Sequence, residues 1–290
     1  MLKLPAGALD PLTKAHIEDL QRQVDSLARY PQRVAAAKRL WAAKTNTPAG
    51  KAAFLAIRTE LKRMCFGAVR CGYCSDSMAD EIEHILPKSF FPQHAFDWDN
   101  HLFACGPCNG GEKRDQYAYL DRRGVLKEVV RKRGAAVRAP GKGVHALINP
   151  RTEDPRHFLE LDLMSRLPNG TYDVGSLHIL PRLDLSAREW TRADYTVRTL
   201  GLNRDPLPRA RRTAFRNYKA RLREYVEDKA TGKAQADLDT MRDGILDMDH
   251  PLVFVEMQRQ QSLLPPLKAL FDAAPEALSW TFGPRAPIVP

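Results

Sequence analysis

Two CxxC pairs, Cys71 with Cys74 in "CGYC" and Cys105 with Cys108 in "CGPC", stand 30 residues apart. No other feature constrains the chain as much. Four thiolates in two close pairs can close a tetrahedral shell around Zn²⁺, an ion with affinity for sulfur and no geometric preference of its own. A closed shell leaves no open coordination position, so such a zinc is structural and pins the two ends of the intervening segment together. Redox chemistry is the weaker alternative, because one CxxC suffices for it. Cys65, the fifth cysteine, stands beside apolar residues and is expected to be simply buried. An odd count grouped this way suits metal binding in a reducing compartment better than disulfides.

A chain of 290 residues with 43% apolar and 28% charged composition can bury a real core in one or two domains. No window approaches the roughly 18 consecutive apolar residues of a membrane span, and "MLKLPAGALDPLTK" lacks the apolar core of a secretory signal. The expected address is the cytoplasm, with no membrane contact.

The net charge of +10 is unevenly spread: residues 1–64 carry twelve basic against five acidic groups, 121–142 eight against two, and 204–223 eight against one. Residues 65–120, by contrast, hold four basic and eight acidic groups, and 224–290 six and eleven. Basicity flanks the cysteine-bounded stretch and avoids it. That pattern suits elements that hold a polyanion around an acidic pocket that keeps a divalent cation. Solvated helical faces are the plainer account of any one charge run.

Residues 12–64 read as helical, with Ile17, Leu20, Val24 and Leu27, then Phe54, Ile57 and Leu61, at three- and four-residue steps. "DEIEHIL" and "DWDNHLFAC" read as short strands around a loop marked by Pro87 and Pro92. "EKRDQYAYLDRRG" reads as a helix closed by Gly124. A Pro- and Gly-punctuated stretch follows, then an Arg-rich helix from about residue 207 to 228. There are no internal repeats.

Glu83 and His84 are adjacent, so in a regular strand their side chains oppose each other; they can cooperate only at a strand end, where the chain turns at Leu86 and Pro87. Asn109 follows the last thiolate and opens the next helix. Glu83 and Asn109 can thus offer two oxygen ligands to Mg²⁺, which binds few protein groups. His84, with an ordinary pKa of about 6.5, can take a proton from an attacking water. His101, His145, His157 and His178 are expected to be packing or hydrogen-bonding residues, His94 a surface residue in the loop, and Trp98 core beneath the hairpin.

"CGYC", "EIEHILPKS", "WDN" and "CGPCN" together resemble the HNH endonucleases with a zinc-stabilised ββα-metal module. The resemblance implies that His84 is the general base, that Asn100 orients the catalytic loop, and that Asn109 and Glu83 bind a catalytic Mg²⁺ or Mn²⁺. The acidic ligand is more often Asp in the wider superfamily. "AFLAIRTELKRM", "HALINPRTEDP" and "RADYTVRTLGLNRDPLPRARR" extend the resemblance, over roughly residues 52–225, to the PtuB-type HNH nucleases of Septu and retron-linked anti-phage systems. That likeness implies a defence role and an ATPase partner. One departure is that the family usually has a Lys close after CN, whereas Lys113 lies four residues beyond Asn109.

The expected protein is therefore α+β: an N-terminal helical segment (1–64), a nuclease module with a Cys₄ zinc (65–120), a mostly helical basic region (121–228) and an acidic, apolar tail (229–290). The tail is either a docking surface or a packing element. Lys113, Arg114, Arg122, Arg123, Arg131, Lys132, Arg133, Arg211 and Arg212 are the candidate nucleic-acid contacts. DNA is the favoured substrate, RNA including tRNA the alternative, and a noncatalytic zinc module the rival from another class.

Overall fold

The structure, a computed structural model, describes residues 1–132, 134–170 and 172–283. Three helices open the chain: α1 (Pro11–Asp25), α2 (Tyr30–Ala42) and α3 (Pro48–Arg63). The ends of α1 and α3 follow from local chemistry. Asp10 accepts the Thr13 N–H at 2.9 Å and Thr47 accepts the Gly50 N–H at 3.0 Å, each followed by a proline that fixes the first helical φ. Ile17, Val24, Phe54, Ile57 and Leu61 are buried where these helices face one another.

A hairpin of β1 (Glu81–His84) and β2 (His101–Ala104) packs on α3. Its antiparallel register pairs Glu81 with Ala104 and His84 with His101. The loop between the strands carries two short 3₁₀ turns, Pro92–His94 and Trp98–Asn100. Trp98 is half-buried; its indole N–H donates to the Gly7 carbonyl at 2.9 Å and its ring carries the Arg151 guanidinium 4.7 Å above it.

After β2 comes a π-helix, Pro107–Lys113, and here the structure departs from expectation. Residues 112–124 do not form a helix. They end the π-turn and enter β3 (Ala118–Leu120), which pairs with β4 (Leu126–Glu128) and β5 (Val144–His145) in a sheet ordered β4-β3-β5. The physical reason is a period of two: Ala118 and Leu120 are buried while Tyr119 is partly exposed. Gly124, at φ +81°, closes the hairpin turn rather than a helix, and the Asp121 carboxylate accepts the N–H groups of Arg123 and Val125.

Residues 121–228 are likewise helical only in their second half. A short helix α4 (Pro155–Phe158) leads into β6 (Leu159–Leu161), which pairs with β9 (Ile179–Pro181); β7 (Met164–Arg166) and β8 (Tyr172–Val174) form the hairpin between them. Then come α5 (Ala187–Thr199) and the long α6 (Leu207–Ala230). The tail folds as α7 (Gln235–Leu246), α8 (Pro251–Gln260) and α9 (Pro265–Ala273), all packed on α6.

Buried side chains from Met1 to Trp280 form one continuous apolar cluster, so most of the tail's apolar residues lie inside the fold, with Leu263 and Leu278 left exposed. A small second cluster of Phe90, Phe91 and Tyr117 joins the β1–β2 loop to the three-stranded sheet. No helix among the described residues is long and apolar enough to cross a membrane.

Phe254 on α8 is fully buried between the Tyr218 and Trp280 rings, at centroid distances of 5.2 and 6.2 Å. Phe254→Ala should lower stability by about 3–5 kcal/mol, measured by urea unfolding. A loss below about 1 kcal/mol would show that the tail is not part of the core.

Candidate active site and metal centre

The four sulfurs of Cys71, Cys74, Cys105 and Cys108 all lie within 4.8 Å of one another and are buried. Thiolates about 2.3 Å from a tetrahedral zinc sit roughly 3.8 Å apart, and Cys74 and Cys105 are separated by 3.9 Å. None of the five cysteines is in a disulfide, so the cluster can hold a zinc ion. The first pair lies in a turn whose Gly72 N–H donates to the Phe103 carbonyl of β2 at 2.9 Å; the second pair follows β2 directly. The cluster therefore closes the Glu81–Ala104 end of the hairpin.

Four thiolates around a divalent zinc carry a net charge of −2, and two arginines are placed to balance it. Arg204 donates to the Cys108 sulfur at 3.3 Å. Arg211, expected to meet nucleic acid, is instead only 2% exposed, with its guanidinium on the carbonyls of Leu177 and Leu202. Burial pushes it down to about 10, opposed chiefly by Cys74, Asp76 and Cys108. It is a structural cation, not a phosphate contact.

At the other end of the hairpin, about 10 Å away by strand rise, His84 closes β1. A cavity of about 280 Å³ opens there, lined by Trp41, Glu83, His84, Lys88, Asn109, Arg114 and Asp115 among others. The His84 Nε2 lies 3.0 Å from the Ala95 carbonyl, and His101 Nε2 lies 3.1 Å from the same oxygen. A carbonyl only accepts, so both rings are Nε2–H tautomers and the His84 Nδ1 keeps a lone pair. The Trp41 ring packs edge-on against His84 at 4.1 Å. Burial, then His101 and Lys88, hold the His84 imidazole well below its ordinary value, so it is neutral.

Asn100 ties the loop that presents Ala95. Its side-chain oxygen accepts the Leu86 N–H at 2.7 Å, and its amide donates to the carbonyls of Leu86 and His94 at 3.0 and 2.8 Å. One side chain thus spans both limbs of the loop.

The expected metal ligands share the cavity but are engaged elsewhere. The Glu83 carboxylate is buried 2.5 Å from the Lys113 ammonium, which also donates to the His84 carbonyl at 2.8 Å. It is the Glu83 Oε1 that faces this ammonium. Burial pushes the Glu83 carboxyl up, against the pull of Lys113 and Lys88. Asn109 turns its amide to Glu81 at 2.7 Å, which leaves its oxygen as an acceptor. The cavity-lining charges are Glu83 and Asp115 against Lys88 and Arg114. This corrects the expectation of an acidic pocket: the excess acids of residues 65–120, such as Asp76, Asp80 and Asp99, do not line it.

The remaining basic candidates divide. Lys113 is buried on Glu83 and cannot reach a surface phosphate, whereas Arg114 lines the cavity. Arg122, Arg123 and Lys132 are exposed. Arg131 is an anchor, donating to the carbonyls of Ser89 and Arg138 with its guanidinium 4.6 Å above Phe90. Arg212 is half-buried and donates to the Gly175 carbonyl. Arg133 lies outside the described residues. His94 pairs with Asp97 at 3.0 Å and does not line the cavity.

Trp41, Lys88 and Asp115 were not expected at the site. Lys88 stands four residues after His84 in "HILPKS", a usable signal; Trp41 comes from α2 and is joined to the cavity only by tertiary packing. Comparison with family models, with curated proteins and with solved structures finds no match for this chain.

Replacing Arg211 with Met should weaken zinc affinity about tenfold to a hundredfold, read by competition with a chromogenic chelator. Unchanged affinity would mean that the cluster's charge is balanced by other groups. Asn100→Ala orphans three backbone groups and should destabilise by several kcal/mol, at roughly 1–3 kcal/mol each; a melting curve like the parent's would contradict the tie.

Proposed function

We propose that the protein is a metal-dependent endonuclease that hydrolyses phosphodiester bonds of nucleic acid, with DNA as the favoured polymer and RNA as the alternative. The observation that supports this best is the neutral His84, held through Nε2 by the Ala95 carbonyl, beside a cavity that also collects Glu83, Asn109 and two cationic side chains. A ring fixed through one nitrogen and basic at the other is what proton abstraction from water requires.

In this account the Nδ1 of His84 takes the proton of an attacking water. Lys88 and Arg114 draw the phosphate into the cavity and orient it by charge. Asn100 keeps the loop, and with it the Ala95 carbonyl, in place behind the ring. Glu83 and Asn109 offer the oxygen donors for Mg²⁺ or Mn²⁺, whose chemistry would be to stabilise negative charge on the phosphate and the leaving oxygen. Zn²⁺ in the Cys₄ shell would hold the hairpin and the π-helix together and take no part in the reaction. The exposed Arg122, Arg123 and Lys132 supply charge for backbone contacts, which position a polymer without reading its sequence.

The test is cleavage of supercoiled plasmid, and in parallel of a structured RNA, by the zinc-loaded protein with Mg²⁺ or Mn²⁺. His84→Ala should lose at least about a hundredfold in rate while keeping its zinc and a cooperative fold. Undiminished cleavage by the variant would remove His84 as the base. Binding without cleavage of either polymer would favour a noncatalytic zinc module.

A further inference from the structure

We infer that the phosphodiester and the divalent cation enter this cavity as a coupled pair, and that Lys113 enforces the coupling. The inference rests on the nuclease function proposed above and adds an order and a residue to it.

The geometry begins with the π-helix. Its wide turn carries Asn109, Lys113 and Arg114 together, closed by the Arg114 N–H on the Asn109 carbonyl at 2.7 Å. π-Turns are rare and recur at functional sites. This one sends the Lys113 ammonium inward to Glu83 at 2.5 Å and to the His84 carbonyl at 2.8 Å, with the two side chains 1% and 4% exposed. The charge of Glu83 is therefore matched before any metal arrives.

A divalent cation brought alone to this carboxylate meets the Lys113 ammonium at close range, where water screens little. It also meets Lys88 and Arg114, which Asp115 alone is left to offset once Lys113 has matched Glu83. The cavity by itself is thus poorly suited to holding a free divalent cation. An anionic phosphodiester is drawn by the same cations, and its charge tips the balance toward the metal. By linkage, whatever factor the anion adds to the cation's affinity, the cation adds to the anion's.

The experiment measures Mn²⁺ binding to the zinc-loaded full chain by the resonance signal of free Mn²⁺. It is run with and without a short single-stranded phosphorothioate oligonucleotide, and the oligonucleotide's own Mn²⁺ is subtracted. The parent should bind Mn²⁺ at least tenfold more tightly with the oligonucleotide. Lys113→Met should bind it at least tenfold more tightly than the parent when no oligonucleotide is present, and should respond less to its addition. Lys113→Gln, which keeps a donor for the His84 carbonyl, makes the same comparison if the Met variant does not fold.

Parent affinity that is indifferent to the oligonucleotide would overturn the coupling. Variants that match the parent would remove Lys113 from it. In either case the metal-dependent nuclease would stand. Oligonucleotide binding with no Mn²⁺ taken up in any form would instead overturn the metal-dependent reaction itself.

Discussion

The meeting of four sulfurs in one buried cluster is the constraint on which the site depends. Residues 71–74 and 105–108 are brought together at one end of the β1–β2 hairpin, so the register that pairs Glu81 with Ala104 is fixed there. The residues proposed to act in the cavity are then placed by short covalent distances. His84 ends β1 three residues along, and Asn109 follows Cys108 directly. The cluster also reaches outward, because the arginines that can balance a tetrathiolate zinc, Arg204 and Arg211, come from the segment leading into α6 and from α6 itself. A metal in this shell would therefore join the hairpin to the C-terminal helices by charge as well as by packing.

A second constraint acts at the far end of the hairpin. The loop of residues 85–100 has little regular structure of its own, yet it must hold one carbonyl, that of Ala95, against two imidazoles. Asn100 does this by bonding three backbone groups across the loop, and Phe90 and Phe91 seat its middle against Tyr117. Rigidity in a site built on a loop has to come from such specific ties. Removing any one of them should blur the aim of His84 before it unfolds the protein.

Much of this was legible in the sequence, for identifiable reasons. The apolar spacing over residues 12–64 marks the buried faces of α1 and α3, while the cap bonds of Asp10 and Thr47 set starts that the spacing alone does not show. Cysteine spacing announced the cluster, and Glu83, His84 and Asn109, singled out by their neighbours in the sequence, line one cavity. The helix expected over 112–124 was not found, since charge-rich "EKRDQYAYLDRRG" hides a two-residue alternation that only pairing with β4 and β5 makes decisive. Charge was the other blind spot. Counting acids along residues 65–120 gave the right sum and the wrong place, because Lys88 and Arg114 face the cavity while most of the acids face away. Arg211 reads like its neighbours in an Arg-rich helix, and burial alone sets it apart.

In the proposed reaction a water activated at His84 attacks the phosphodiester. Cleavage in water enriched in ¹⁸O, followed by mass spectrometry of the product ends, tests it directly. Hydrolysis by that water leaves one ¹⁸O in the terminal phosphate at each cut, on DNA and RNA alike. Cleavage that yields RNA ends closed as cyclic phosphates without ¹⁸O would contradict it, since the nucleophile would then be the substrate's own hydroxyl.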